Sequence, residues 1–263
     1  MARPKIKYIL FLVEGFTDIS VLSAGIADLY EKYTKPGEYV IKFCSMQQGD
    51  QLGGDITSSH GVTPDNIEQL ISKLFIDPFL AKNPYIYPKE IYEIVQIVDL
   101  DGVFLEDDNV IPILESDPRG RVYYGTDGIY AVDVESIRER NRRKRDNIQK
   151  LISMDKIVIR PNNHRNTKTI RYSVYYFSCN MDHYLHGDAN LSSQKKVEMA
   201  DDFMLECYDD TARFCKRLCF ESDSVAGRSF AESWKYITER GLNSLERHSN
   251  INLLIDSIQN QKV

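Results

Sequence analysis

The chain has 263 residues, with 33 Lys and Arg against 39 Asp and Glu, a net charge of −6, and 42% hydrophobic residues. That length suits one large domain, or a core domain with an appendage, and the composition excludes a disordered or low-complexity chain. The mild acidity excludes a globally basic nucleic-acid binder, so positive charge must be read region by region. Cys44, Cys179, Cys207, Cys215 and Cys219 are odd in number and form no C-x-x-C pair, which excludes a disulfide framework and a zinc ligand set. A reducing, cytoplasmic setting is the expectation. Arg3, Lys5 and Lys7 before the apolar Tyr8–Val13 imitate a signal peptide, but Glu14 ends that run and no cleavage site follows. No stretch approaches the ~18 apolar residues of a membrane span, so no membrane partner is expected.

In chain order, Ile6–Val13 is a continuous apolar run and reads as a buried strand of a parallel sheet. A helix over Ile19–Tyr33 follows, with Thr17 as its N-cap and Asp18 facing the helix dipole. Lys35-Pro36-Gly37 closes it and Tyr39–Cys44 is a second strand, making a βαβ unit. Residues 46–66 read as a long loop, Pro64 opens a short helix through Phe75, and the Pro-rich stretch Pro78–Pro88 leads to a strong strand, Ile91–Val98. That strand runs into Asp99-Leu100-Asp101-Gly102. Arg121–Tyr124 and Ile129–Val134 flank Gly125-Thr126-Asp127-Gly128 as a hairpin, and Glu135–Ile152 is a helix. Lys156–Ile159 and Thr169–Phe177 are further strands around a basic loop, and from Lys195 the chain is mainly helical, with breaks near Ser222–Gly227 and Gly241. There is no internal repeat. The expected architecture is α/β: a core over residues 1–190, insertions at about 46–90 and 104–170, and a helical C-terminal extension over 191–263.

Glu14 and the Asp99/Asp101 pair each stand where an apolar strand ends. In open α/β sheets, sites form at the carboxyl ends of strands, so both motifs can open onto one crevice. If the segment stays extended, Asp99 and Asp101 share a face with Cα atoms about 6.6 Å apart, close enough to share an ion. Three carboxylates together need protons or a cation, and oxygen-only ligands favour Mg²⁺ or Mn²⁺ over zinc.

Leu12-Val13-Glu14-Gly15-Phe16-Thr17-Asp18, followed by Val95-Gln96-Ile97-Val98-Asp99-Leu100-Asp101, resembles the Toprim signature, a Glu after the first core strand and a D-x-D after a later one. The E-G-x-T-D variant is most similar to Toprim nucleases of the OLD (overcoming lysogenization defect) family and to the Toprim effector subunits of ATPase–Toprim (PARIS-like) phage-defence systems. Cys179-Asn180-Met181-Asp182-His183-Tyr184-Leu185 resembles the later S-I-E-N-Y-L segment of those relatives, with Asp182 in place of a Glu. The resemblance covers short blocks between residues 6 and 185. It implies a Toprim-like sheet, with Glu14 as general acid/base or metal ligand, Asp99 and Asp101 holding Mg²⁺, and Asp18 and Asp182 as further ligands. The implied activity is metal-dependent cleavage of DNA or tRNA in phage defence or abortive infection. The implied partner is a separate ATPase subunit, since this chain has no G-x-x-x-x-G-K-[ST] loop; a homodimer is left open.

Two other readings compete. Asp99-Leu100-Asp101-Gly102 also matches the D-x-D-G motif of haloacid-dehalogenase-like phosphatases, with Asp99 as nucleophile and Asp101 as acid. There a whole strand–helix–strand unit would precede the motif, Glu14 would have no role, and the later acid pair, Asp201-Asp202, falls in a helix. Alternatively, the chain is a non-catalytic Toprim-like subunit that binds nucleic acid or docks on an ATPase through its C-terminal helices.

Arg138-Glu139-Arg140-Asn141-Arg142-Arg143-Lys144-Arg145 holds six basic residues and one acid, and Arg160, Arg165, Lys168 and Arg171 add a basic loop. Such clusters suit contact with a phosphate backbone, against the plainer alternative of a solvated helix face. His183 and His186 are more simply satisfied histidines than ligands, Cys215 and Cys219 core residues, and Trp234 a packing residue.

Overall fold

Lys7–Val13 form β1, and every residue from Ile9 onward in it is buried, which a strand achieves only between layers on both faces. In this computed structural model, which describes residues 6–48, 51–160, 167–219 and 229–261, β1 leads into α1 (Phe16–Tyr33) and β2 (Tyr39–Ser45). β1 and β2 pair in parallel, from Lys7 opposite Tyr39 to Val13 opposite Ser45. The helix cap lies two residues before the expected one at Thr17. Gly15 is the N-cap in extended conformation, and the Asp18 carboxylate accepts its N–H at 2.8 Å, so the acid at N3 caps the helix and the threonine does not.

β3 (Gln47–Gln48) and β4 (Gln51–Leu52) form a minimal antiparallel pair in the expected loop. The helix expected to open at Pro64 begins instead at Ile67: α2 (Ile67–Ile71) continues through one π-helical turn, Ser72–Ile76, into α3 (Asp77–Lys82). Pro78 explains the interruption. Lacking an N–H, it cannot sit inside a continuous α-helix, and the widened turn lets it stand near the start of a new one.

β5 (Ile91–Asp99) crosses the centre of the molecule. Next come β6 (Val110–Pro112), β7 (Val122–Tyr124) and β8 (Ile129–Ala131); β7 and β8 form the expected hairpin, and β6 adds a parallel strand on the other side of β8. α4 (Val134–Ile152) is capped by Asp133, which accepts the Ser136 N–H. β9 (Lys156–Ile159) and β10 (Lys168–Phe177) follow, then α5 (Met181–His186), α6 (Ser193–Glu206), α7 (Thr211–Leu218), α8 (Phe230–Glu239), a 3₁₀ turn at Gly241–Leu245 and α9 (Ile251–Gln259). The break expected at Ser222–Gly227 lies outside the described residues.

The main sheet has the order β2-β1-β5-β10-β9, parallel except for β9. Helices cover both faces. On one, Leu10, Leu12, Ile94 and Val98 meet Phe75, Ile148, Leu151 and Trp234. On the other, Ile9, Phe11, Val95 and Phe177 meet α1 and the C-terminal Phe203, Phe214 and Ile255. The C-terminal helices therefore share the sheet's core. Trp234 packs on Tyr176 with ring centroids 4.7 Å apart, and all five cysteines are free thiols. Among the described residues, no helix is long and apolar enough to cross a membrane.

Gly25 lets α1 approach α7: a Cβ built there would lie 2.3 Å from a Phe214 ring carbon. Replacing a mid-helix glycine by alanine ordinarily gains about 1 kcal/mol, whereas overpacking costs about 1–3 kcal/mol. Gly25→Ala is therefore expected to lower the urea midpoint, against the helix-propensity trend.

Candidate active site

Three parallel strands, β1, β5 and β10, end along one edge of the sheet, and each leads to an acid at its last residue, at the next one or in the helix that follows. Glu14 follows β1, Asp99 ends β5, and Asp182 lies in the first turn of α5 after β10. The ends are tied together. The Asp99 N–H donates to Glu14 Oε1 at 3.3 Å, and Asp99 Oδ1 accepts the Met181 N–H at 3.0 Å. One carboxylate thus fastens the start of α5 while its backbone holds the next acid.

The Asp99–Asp101 pair is not the extended repeat that the sequence suggests. β5 stops at Asp99, and Asp101 has φ 50° and Gly102 φ 68°, two consecutive left-handed residues. Aspartate tolerates that region better than most residues, and glycine adopts it freely. The turn brings Asp101 Oδ2 to within 2.7 Å of Lys144 Nζ.

Lys144 comes from α4 and is fully buried. Its ammonium also lies 2.9 Å from Asp55 Oδ2 and 3.9 Å from Glu14 Oε1. Sequence reasoning missed Asp55. It reaches the crevice because Gly53 and Gly54 both have positive φ, and the Gly54 N–H donates to Glu14 O at 2.9 Å. A Cβ at Gly53 would meet that same carbonyl at 3.1 Å. The Gly-Gly step before an acid was the one available signal. From the other side, α4 holds this loop: Arg143 Nε donates to Ser58 O, and Asn147 Nδ2 donates to Thr57 O, each at 2.8 Å.

Asp101 has further support. Tyr124 donates its hydroxyl proton to Asp101 Oδ1 at 3.3 Å, and Arg140 donates to both the Tyr124 oxygen and Asp101 O at 3.0 Å. Asp18 and Asp182 form the flank of the site, where Lys196 Nζ stands 2.7 Å from Asp182 Oδ2. Lys196 was not singled out from the sequence.

These neighbours divide the acids electrostatically. Burial, reinforced by Asp55, Asp99 and Asp101, pushes Glu14 well above the ordinary carboxylate range despite Lys144. Burial, with Asp18 and Asp101 beside it, does the same to Asp99. Burial also acts on Asp101, but Lys144 and Arg140 outweigh it and hold that carboxyl low. Asp18 is pushed up to about 6, chiefly by burial and then by Asp182. Burial lowers Lys144, yet Asp101, Asp55 and Glu14 together hold its ammonium well above the usual lysine value.

The oxygen donors of Glu14, Asp55, Asp99 and Asp101 suit a hard divalent cation, and the Lys144 ammonium among three of them demonstrates that positive charge is accommodated there. Glu14 and Asp99 hold their protons more tightly than ordinary carboxyls, chiefly because they are buried. Among the described residues, no three His, Cys, Asp or Glu side chains form a ready-made metal cage.

The basic run of α4 faces inward or along the protein. Arg138 donates to Asp107 O, Arg142 pairs with the Asp107 carboxylate at 2.5 Å, and Arg145 donates to Val103 O and Leu105 O. With Arg140, Arg143 and Lys144 engaged as above, all six basic side chains have intramolecular partners. Lys168 donates to Lys89 O, and Arg165 lies outside the described residues. Burial, with Arg247 beside His183 and Arg217 beside His186, lowers both histidines. Asp201 and Asp202 are exposed on α6, so they supply no third acid for a phosphatase. Comparison of the chain with protein-family models, with curated proteins and with solved structures gives no match.

Removing the buried ammonium tests this electrostatic balance. Asp101, held low, contributes stability that is present above the unfolded carboxylate pKa and lost as pH falls through the folded one. Lys144→Met removes that contribution and leaves the acids facing one another, a cost of about 3–5 kcal/mol near neutral pH. As pH falls, the acids of the variant take up protons, so its deficit in urea unfolding, measured in EDTA, should shrink from pH 8 to pH 4. A deficit that stays constant or grows would contradict the assignment.

Proposed function

We propose that this chain is a metal-dependent nuclease of the Toprim type, cleaving phosphodiester bonds of DNA or tRNA. The observation that carries the reading is the convergence of Glu14, Asp99 and Asp101 at the ends of adjacent strands, with Glu14 and Asp99 buried and held above the ordinary carboxylate range. Asp99 and Asp101 would hold Mg²⁺ or Mn²⁺, with Glu14 as general acid/base or as a further ligand, and Asp18, Asp182 and Asp55 close by. When bound, the ion supplies water activation and stabilises charge developing on the phosphate. Glu14 binds its proton more tightly than an ordinary glutamate, which suits proton transfer to a leaving oxygen. Arg140 and Tyr124 fix Asp101 in place. Cytoplasmic action in phage defence, with a separate ATPase restraining the nuclease, extends the same resemblance.

One observation favours a second reading. Lys144 already neutralises much of the crevice, as it would in a non-catalytic subunit that binds nucleic acid or docks on an ATPase.

The two readings separate in one experiment. Plasmid DNA, single-stranded DNA and total tRNA are incubated with the protein in Mg²⁺, Mn²⁺ or EDTA. The nuclease reading expects metal-dependent cutting that falls about a hundredfold or more in Glu14→Gln and Asp101→Asn, whose folds remain intact by circular dichroism. Binding of one of these nucleic acids with no cutting under any metal condition would support the second reading.

A further inference from the structure

The basic side chains of α4 are engaged with partners within the protein, and a second group of cations lies elsewhere. A cavity of about 420 Å³ opens at the far end of α5, lined by Leu185, Glu206, Arg213, Lys216, Arg217 and Arg247. Four cations face one carboxylate there, on a protein whose overall charge is −6. Glu206 lies 3.7 Å from Arg217 Nε, beyond hydrogen-bond reach, and that Nε has no acceptor among the described residues. Lys216 is exposed and makes no ion pair among the described residues. Burial lowers the Arg247 guanidinium, with Arg217 adding to the shift and Tyr184 opposing it, and Arg213 stands 3.8 Å from Asp210 and donates to Glu206 O.

The cavity is also anchored to the candidate active site. Arg217 and Arg247 both donate to Leu185 O, at 3.4 and 3.1 Å, and Arg247 Nε donates to Tyr184 O at 2.7 Å. Those carbonyls belong to the short helix whose first turn carries Asp182. From Asp182 to Leu185 the helix rises only about 4.5 Å. The cavity therefore begins about one helical turn from Asp182, on the flank of the carboxylate crevice.

We infer that Arg213, Lys216, Arg217 and Arg247 form a phosphate-binding site for the backbone of the nucleic-acid substrate, next to the carboxylate crevice. Guanidinium forks match phosphate oxygens, and backbone contact of this kind gives affinity without reading sequence. The inference rests on the nuclease reading and names where its substrate is gripped.

Binding is measured apart from cleavage, in EDTA, by fluorescence anisotropy of a labelled single-stranded oligonucleotide of DNA and of RNA across a salt series. Arg213→Ala/Lys216→Ala is compared with the wild type and with Arg142→Ala on α4. The expected result is at least tenfold weaker binding of the α7 pair, with the slope of log K against log salt reduced by roughly 1.4, and no change for Arg142→Ala. Inorganic phosphate and a free nucleotide are added as competitors. Competition by either at micromolar concentration would assign the cavity to a small phosphate ligand and overturn the substrate role. Equal binding and slope for the α7 pair and the wild type would also overturn it, and the nuclease reading would survive if metal-dependent cutting is intact. Loss of binding in the α7 pair together with a wild type that never cuts would support the site and sink the nuclease. A wild type that binds neither oligonucleotide would remove the site.

Discussion

A lysine ammonium buried among three carboxylates is the constraint on which the rest of this molecule depends. An unpaired ammonium in that position would cost several kcal/mol, so Lys144 requires its partners to be delivered to it. They come from three separate segments: Glu14 from the end of β1, Asp55 from the glycine-rich loop, and Asp101 from the turn after β5. Satisfying one cation therefore fixes α4 against the sheet edge and the loop against α4. The β6–β8 insert is drawn in as well, because Tyr124 and Arg140 meet at Asp101. Burial and the neighbouring carboxylates, against the opposing pull of Lys144, leave Glu14 and Asp99 with protons bound more tightly than usual, a state suited to moving a proton.

This arrangement also redistributes the chain's positive charge. The α4 helix holds the densest basic run, yet its side chains cap carbonyls, close the acid cluster and pair with Asp107. A second group of cations, Arg213, Lys216, Arg217 and Arg247, lines the cavity at the end of α5. A negatively charged polymer approaching the carboxylate crevice would meet repulsion at the crevice and attraction at that end.

The likeness to Toprim nucleases rests on Glu14, Asp99 and Asp101 in order, and the fold places those residues together at neighbouring strand ends. Asp55 and Lys144 add a layer that the motif does not contain. Their contact makes the crevice partly self-neutralised, so any divalent cation would enter a site already holding one positive charge.

The apolar runs Ile6–Val13 and Ile91–Val98 determined the two central strands, because a continuous run of that length can be buried only inside a two-sided sheet. The hairpin around Gly125–Gly128 and the long helix through residue 152 were equally legible, from turn chemistry and periodicity acting over a few residues. So was the idea that Glu14 and Asp99 share a site, since strand ends in parallel sheets lie on one edge. What local pattern could not carry was the conformation at Asp101, where a left-handed turn replaces an extended pair. Nor could it reveal the inward turn of Lys144: in sequence it is one of six adjacent bases, and only packing against β1 and the Asp55 loop distinguishes it. Asp55 and the cavity by Arg247 depend on segments far apart in the chain. Their roles follow from distance in space, which the order of residues does not encode.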